Sequence, residues 1–433
     1  MSRSLVLFSL LSSLACKDAP PAPPKKSDAE QRIDALPAQV RTLCLAPAPG
    51  DGPVDRMLKE AAKDARRVPQ KLDPWVLLGQ AWMRKARESK DEGYYLHADA
   101  CAEAGLLAQP GAPLASSIRA AVLASQHKFG EAKSLAESIL TRDPETLMAL
   151  GVLSDAALEL GEIEAAERAA QRMVDAKPDL PSYARVSYLR FLRGDLAGAK
   201  AIMGSAFKAG RGQADREPPA WALVEAATYF WHAGDYDGAE AGYLMALDYA
   251  PLFAPALVGR GRVALSRGRA VEAVGHLRAA QATHEDAELL WLLGDALLAS
   301  GDDAAAREVY AKLEVFARRS DKRTLAWFWA ASQQHTDEAL ALASEEANRR
   351  PGVYTLAVLA FAQARAGQRD AAAETAQRML RFGTKDARLS FIAGLAEKDP
   401  KAARRHFEAA LKLNPGFDFR GRREAAERLG RVK

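Results

Sequence analysis

Along most of the chain, apolar and small residues fall three and four places apart, the spacing that lines one face of an α-helix. Leu257 and Gly261 share one such face, and Ala273, Leu277 and Ala280 line another. Between paired faces, a turn glycine is followed five places later by a small residue: Gly161 with Ala166, Gly194 with Ala199, Gly234 with Ala239, Gly268 with Ala273, Gly301 with Ala306 and Gly367 with Ala372. Successive turns are 33, 40, 34, 33 and 66 residues apart. The last interval holds two repeats, with the intervening turn at Gln334 and Ala339, and His127 with Ala132 extends the series toward the N-terminus. Ala403, Phe407, Ala410 and Pro415 extend it to a shortened final unit. Proline closes several units, at Pro110, Pro144, Pro178, Pro251, Pro351 and Pro415, because it ends a helix without needing a donor. The pattern predicts about nine or ten helical hairpins from Lys71 to Phe417. Each hairpin alone leaves an apolar face uncovered, so the hairpins must stack, and the expected fold is an all-α superhelical solenoid.

Two segments carry a recognisable signature. Trp75-Val-Leu-Leu78-Gly79-Gln-Ala-Trp82 fits W-x2-L-G-x2-aromatic, and Ala233 to Pro251 places Ala239, Tyr243, Ala246 and Pro251 at the matching second-helix spacing. The chain thereby resembles the tetratricopeptide-repeat family over most of its length. That resemblance implies a protein or peptide partner in a concave groove lined by first helices. Transferring the register gives groove positions Arg185, Tyr188, Trp231, Arg262, Trp291, Asp295, Phe328, Phe361 and Arg365. Aromatic rings with three arginines and one carboxylate suit a peptide with apolar anchors and some negative charge. The chaperone-tail clamp of the family uses Lys and Asn four apart on a first helix; Val76/Gln80, Gly151/Asp155, Val224/Thr228 and Trp291/Asp295 stand there instead, so that clamp is not expected. Glycine at 261 facing Ala273 is expected to let two helices approach closely. Two irregularities break the register: charged residues from Arg84 to Tyr94, read as a solvated loop, and Ala209 to Pro219, a hinge or a tolerated insertion.

The N-terminus is patterned differently. Arg3 precedes an apolar run, Leu5 to Leu14, too short to span a bilayer but suited to a secretory leader. Leu11-Ser-Ser-Leu-Ala-Cys16 resembles a bacterial lipobox, in which cleavage before the cysteine is followed by lipidation; Ser13 stands where that family usually has leucine. Ser13-Leu14-Ala15 also suits ordinary signal peptidase, and secretion without an anchor is the alternative. The segment Ala19 to Lys26, Pro-rich and Lys-ended, has the composition of an extended tether. Lys17 after the cysteine favours the outer membrane, facing the periplasm. The expected divisions are a signal peptide over 1–15, a tether over 16–30, an N-terminal cap segment over 31–70 with a helix from Pro53 to Arg67, the repeats over 71–419 and a C-terminal capping helix over 420–433.

Composition narrows the chemistry. The 433 residues are 48% apolar and 27% charged with a formal charge of +4, globular values that exclude wholesale disorder and supply no basic patch for nucleic acid. Of the three cysteines, lipidation uses Cys16 and leaves Cys44 and Cys101, which either form a disulfide in an oxidising compartment or remain two buried thiols. The seven histidines are scattered, and neither a metal-ligand spacing nor a catalytic motif is present. Gly259-Arg-Gly261 is half of a dinucleotide fingerprint, better explained by helix packing. No cofactor or metal is expected, and the repeats leave no length for a catalytic domain. The sequence thus points to a non-enzymatic scaffold at the bacterial envelope, with a small-ligand or glycan-binding solenoid, or a soluble adaptor, as the alternatives.

Overall fold

The computed structural model describes residues 27–89, 91–212 and 215–430, so Cys16, the apolar leader and the proline-rich segment lie outside the described residues. Among the described residues the chain forms 24 α-helices and no strand. Two short helices and a longer one come first: α1 (Asp28–Ala35), α2 (Ala38–Cys44) and α3 (Pro53–Arg67). Antiparallel pairs follow, from α4 (Leu72–Ser89) with α5 (Tyr94–Ala108) to α22 (Ala387–Ala396) with α23 (Pro400–Leu413), and α24 (Gly421–Arg428) packs on the last pair.

The turns form as the sequence requires. Gly161, Gly194, Gly234, Gly268, Gly301 and Gly367 all adopt positive φ, between 74° and 87°, the left-handed conformation that ends a helix at least strain in glycine. Asp195, Asp235 and Asp302 then cap the next helix through the amides of Gly198, Gly238 and Ala305. His127 takes φ 59°, and the degenerate turn spreads the same conformation over Gln333 and His335.

Packing corrects two expectations. A Cβ on Gly261 of α14 (Ala254–Ser266) would sit 2.5 Å from Leu277 Cγ on α15 (Ala270–Gln281), so Leu277 rather than Ala273 requires the small residue. The charged stretch after Arg84 is helix, not loop, as far as Ser89, because Lys85 ion-pairs with Asp55 and Glu88 and holds the last turn. The longer connection after α11 (Leu196–Gly210) does leave the helices, and Asp215 within it pairs with Arg84. Near the N-terminus, a disulfide joins Cys44 at the end of α2 to Cys101 on α5.

The solenoid closes on itself. The turn at Gly194 meets the carbonyl of Gly383, 2.4 Å from where a Cβ would stand, and Gly161 and Gly234 meet the carbonyls of Pro351 and Leu413 in the same way. Thr384 Oγ1 donates to the Leu192 carbonyl at 2.6 Å, across 192 residues. One buried apolar cluster accordingly unites Ile163, Leu189, Phe191 and Met203 with Leu356, Phe361, Met379 and Phe391. The concave face becomes the inside of a superhelical turn instead of an open groove.

Candidate ligand chamber on the concave face

First helices build the inner wall. Trp231, near the end of α12 (Glu217–His232), is buried, and its Nε1 donates to Ser266 Oγ on α14 at 2.8 Å. The guanidinium of Arg262 lies 5.3 Å from the Trp231 ring and ion-pairs with Glu288 on α16 (Ala287–Ala299). Arg388 on α22 lies 5.9, 5.1 and 5.8 Å from the rings of Trp231, Trp327 and Tyr354, an arrangement in which a planar cation gains from every ring face. Trp327 belongs to α18 (Lys322–Ser332) and Tyr354 to α20 (Val353–Arg365), so three hairpins converge on one side chain.

Behind Arg388, burial opposes the ionisation of Asp386, but the guanidinium, 2.8 Å away, and His232 outweigh it and hold the carboxyl well below the usual carboxylate range. His232, 3.6 Å from the same carboxylate, is pushed by burial down to about 4 and is neutral at physiological pH. The resulting cavity of about 400 Å³ opens beside a second of about 310 Å³, and both are walled by Trp231, Arg262, Asp286, Glu288 and Arg388. They form two lobes of one chamber. Trp291, Trp327 and Arg323 face the larger lobe, and Trp221, Glu225 and Tyr243 face the smaller. Burial lifts the Glu225 carboxyl to about 7, with Arg262 pulling against it.

The chain's own C-terminal segment forms the remaining wall. Asn414 Nδ2 donates to the Trp231 carbonyl at 2.8 Å, Ser266 Oγ donates to the Gly416 carbonyl at 2.9 Å, and Arg422 donates to the carbonyls of Leu265 and Ser266. Arg420 reaches Asp295 at 3.3 Å and the Tyr310 hydroxyl at 2.9 Å. The stretch before α24 is therefore inserted in the superhelix, while α24 itself covers α22 and α23 at the end.

This accounts for each position transferred from the register. Trp231, Arg262, Trp291 and Asp295 line the larger lobe. Asp295 accepts from Tyr310 at 2.7 Å, and burial lifts its carboxyl to about 7 against the pull of Arg420. Phe361 and Arg365 lie beneath the C-terminal segment, where Arg365 makes a two-pronged ion pair with Glu424 at 2.9 and 2.5 Å. Phe328 belongs to the core, not the groove: it is 2% exposed and wedged between Trp291 and Tyr310, and its neighbour Trp327 turns inward instead. Arg185 stands apart from the chamber, bound by Asp155 at 2.9 and 2.7 Å on the preceding first helix. Tyr188 is half-buried beside Phe191; burial foremost raises its phenol, which Glu225 raises further and Arg323 lowers. Sequence reasoning did not identify Arg323, Trp327, Tyr354 or Arg388. Only Trp327 carried a signal, as one of three adjacent aromatic residues.

Among the described residues there is no cluster of three or more metal-ligating side chains, and no helix is long and apolar enough to cross a membrane. The chamber offers ring faces, guanidinium edges and, in its larger lobe, carboxylates already engaged by neighbours.

Two family-model matches agree with the hairpin geometry. Residues 123–187 and 224–287 each match a family model described as a tetratricopeptide repeat. No curated protein matches the sequence. Among solved structures, the chain is similar to PilW, a widely conserved type IV pilus biogenesis factor, at 21% identity over 48% of this chain and 95% of that one, with a TM-score of 0.40. A tetratricopeptide repeat protein from Parabacteroides merdae matches at 18% identity over 55% of this chain and 93% of that one, TM-score 0.41. The human IFIT1 dimer with PPP-AAAA matches at 15% identity over 90% and 95%, TM-score 0.47. Two segments, residues 123–187 and 224–287, are similar to tetratricopeptide repeats, and they are set within an all-helical solenoid of stacked antiparallel pairs.

Proposed function

We propose that this protein is a non-enzymatic scaffold, exported and anchored through a lipid on Cys16 to the outer membrane, that holds a segment of a partner protein in its concave chamber. The observation that carries the binding reading is the two-lobed chamber, walled by Trp231, Trp291 and Trp327, with Arg262 over the ring of Trp231 and Arg388 over that of Trp327. Aromatic and arginine side chains in a recessed site are the combination that concentrates binding energy at interfaces. The anchoring reading rests on the lipobox-like run ending at Cys16 and the proline-rich spacer after it.

Two measurements test the two halves. Metabolic labelling with a fatty acid is expected to mark the wild type and not Cys16→Ser; equal labelling of both removes the anchor. Photo-crosslinking from an exposed-face control position and from position 327, in native envelopes, is expected to give a defined, saturable adduct at 327 alone. Adducts spread equally over both positions would remove the chamber as the binding site.

A further inference from the structure

Five carboxylates line the larger lobe, which at first sight suits a cationic ligand. Their hydrogen bonds, however, fix each of them in place as part of the fold. Asp321 caps α18 through the amide and hydroxyl of Thr324. Asp286 caps α16 and contacts His284. Asp418 accepts the amides of Arg420 and Gly421. Asp295 is held by Tyr310 and Arg420, and Glu288 by Arg262. Every one of these acids is engaged by the fold.

The cations balance differently. Arg422 is spent on backbone carbonyls, Arg262 on Glu288, and Arg388 turns Nε and Nη2 to Asp386. Arg323, by contrast, faces the lobe with no ion pair or hydrogen bond among the described residues. An uncommitted guanidinium in a recess walled by tryptophan is partly desolvated, and a carboxylate there forms a charge-assisted pair stronger than the same pair in open water. The acid on these walls that lacks a partner among the described residues is Glu225, and it lies in the smaller lobe, which Arg323 does not line.

We infer that the larger lobe recognises an acidic side chain of the partner segment, paired with Arg323, next to an aromatic or aliphatic residue laid on Trp291 and Trp327. This rests on the reading of the chamber as a holder of protein segments. It adds the chemistry that selects the segment, and it makes Arg323 the specificity-determining residue.

The test is selection of linear random peptides displayed on phage against the full chain and against Arg323→Glu, followed by fluorescence titration with the synthetic winners. Glutamate suits the first turn of α18, where a helix N-terminus favours negative charge, so the variant is expected to keep the wild-type circular dichroism. Wild type is expected to enrich Asp or Glu beside Phe, Trp or Leu, and Arg323→Glu to enrich Lys or Arg at the same place. Replacing the selected Asp by Asn is expected to weaken binding to wild type by about tenfold or more, read by chamber tryptophan fluorescence, and to leave binding to Arg323→Glu unweakened. Peptides that bind the chamber with no acidic preference, or that lose nothing on Asp→Asn, overturn this inference and leave the segment-holding reading intact. If no peptide enters the chamber, or only free acetate or phosphate does, that reading falls and the inference falls with it.

Discussion

The side chain of Asn414 reaches across 183 residues of sequence to donate Nδ2 to the backbone carbonyl of Trp231 at 2.8 Å, and its Oδ1 accepts from the Tyr236 hydroxyl and the Gly416 amide. Asn414 is 1% exposed, so water cannot replace these partners. Asn414→Ala is expected to lower stability by about 1–3 kcal/mol, the range for leaving buried polar groups unpaired. The loss should be local, with faster amide exchange in residues 414–424 and at Trp231 and little change in α6 (Pro113–Ser125). Uniformly faster exchange would mean that the C-terminal segment folds as one unit with the whole solenoid.

Gly261 tests the packing of a single hairpin. Its Cβ position lies 2.5 Å from Leu277 Cγ and 2.8 Å from Leu277 Cδ2, and Leu277 is fully buried. Gly261→Leu forces α14 and α15 apart and is expected to destabilise by about 1–3 kcal/mol or more, the range for overpacking, seen as a lower urea midpoint. Gly261→Leu with Leu277→Ala should recover part of that loss, because the pair shares one contact. Additive effects would place the strain elsewhere.

These cases show what was legible in the sequence and why. Turn glycines, helical faces and the hairpin count depend on local chemistry, and helical spacing with left-handed turns displays it directly. The choice between Trp327 and Phe328 depends on helix rotation, where adjacent residues point about 100° apart, and the 11-residue helix α18 is buried on enough sides to hide which one faces inward. The superhelical closure and the inserted C-terminal segment were illegible. Their contacts, such as Thr384 with Leu192 and Tyr236 with Asn414, join turns almost half the chain apart and leave no periodic trace. Arg388 was hidden for the same reason: its three aromatic neighbours come from other hairpins.

The disulfide between Cys44 and Cys101 closes a separation of 57 residues and ties α2 to α5. Beside it, Trp82 Nε1 and the His97 ring bond the carbonyls of Cys44 and Leu43, so the tie belongs to a packed cluster. Reduction, or Cys44→Ala with Cys101→Ala, is expected to lower the stability of the N-terminal end by about 2–4 kcal/mol. Limited proteolysis should then cut within residues 36–52 first. Unchanged protection there after reduction would show that packing alone holds α2.

Buried ionisable groups on the inner wall give stability a pH dependence of both signs. Burial pulls His232 from 6.5 to about 4. The unfolded chain then binds a proton that the folded one refuses, so stability is full above pH 6.5 and is lost as pH falls toward 4, by at most ~3 kcal/mol. Burial lifts Glu225 from 4.5 to about 7, with Arg262 opposing and Glu288 reinforcing the shift. Here the folded chain keeps a proton that the unfolded one has released, so stability declines as pH rises from 4.5 to 7, again by at most ~3 kcal/mol. Glu225→Gln keeps the shape and removes only this second contribution. It is expected to leave urea stability at pH 4 nearly unchanged and to raise it by about 1–3 kcal/mol at pH 8. A gain of equal size at both pH values would show that the carboxyl is hydrated and ionises normally, and the smaller lobe would then be wet.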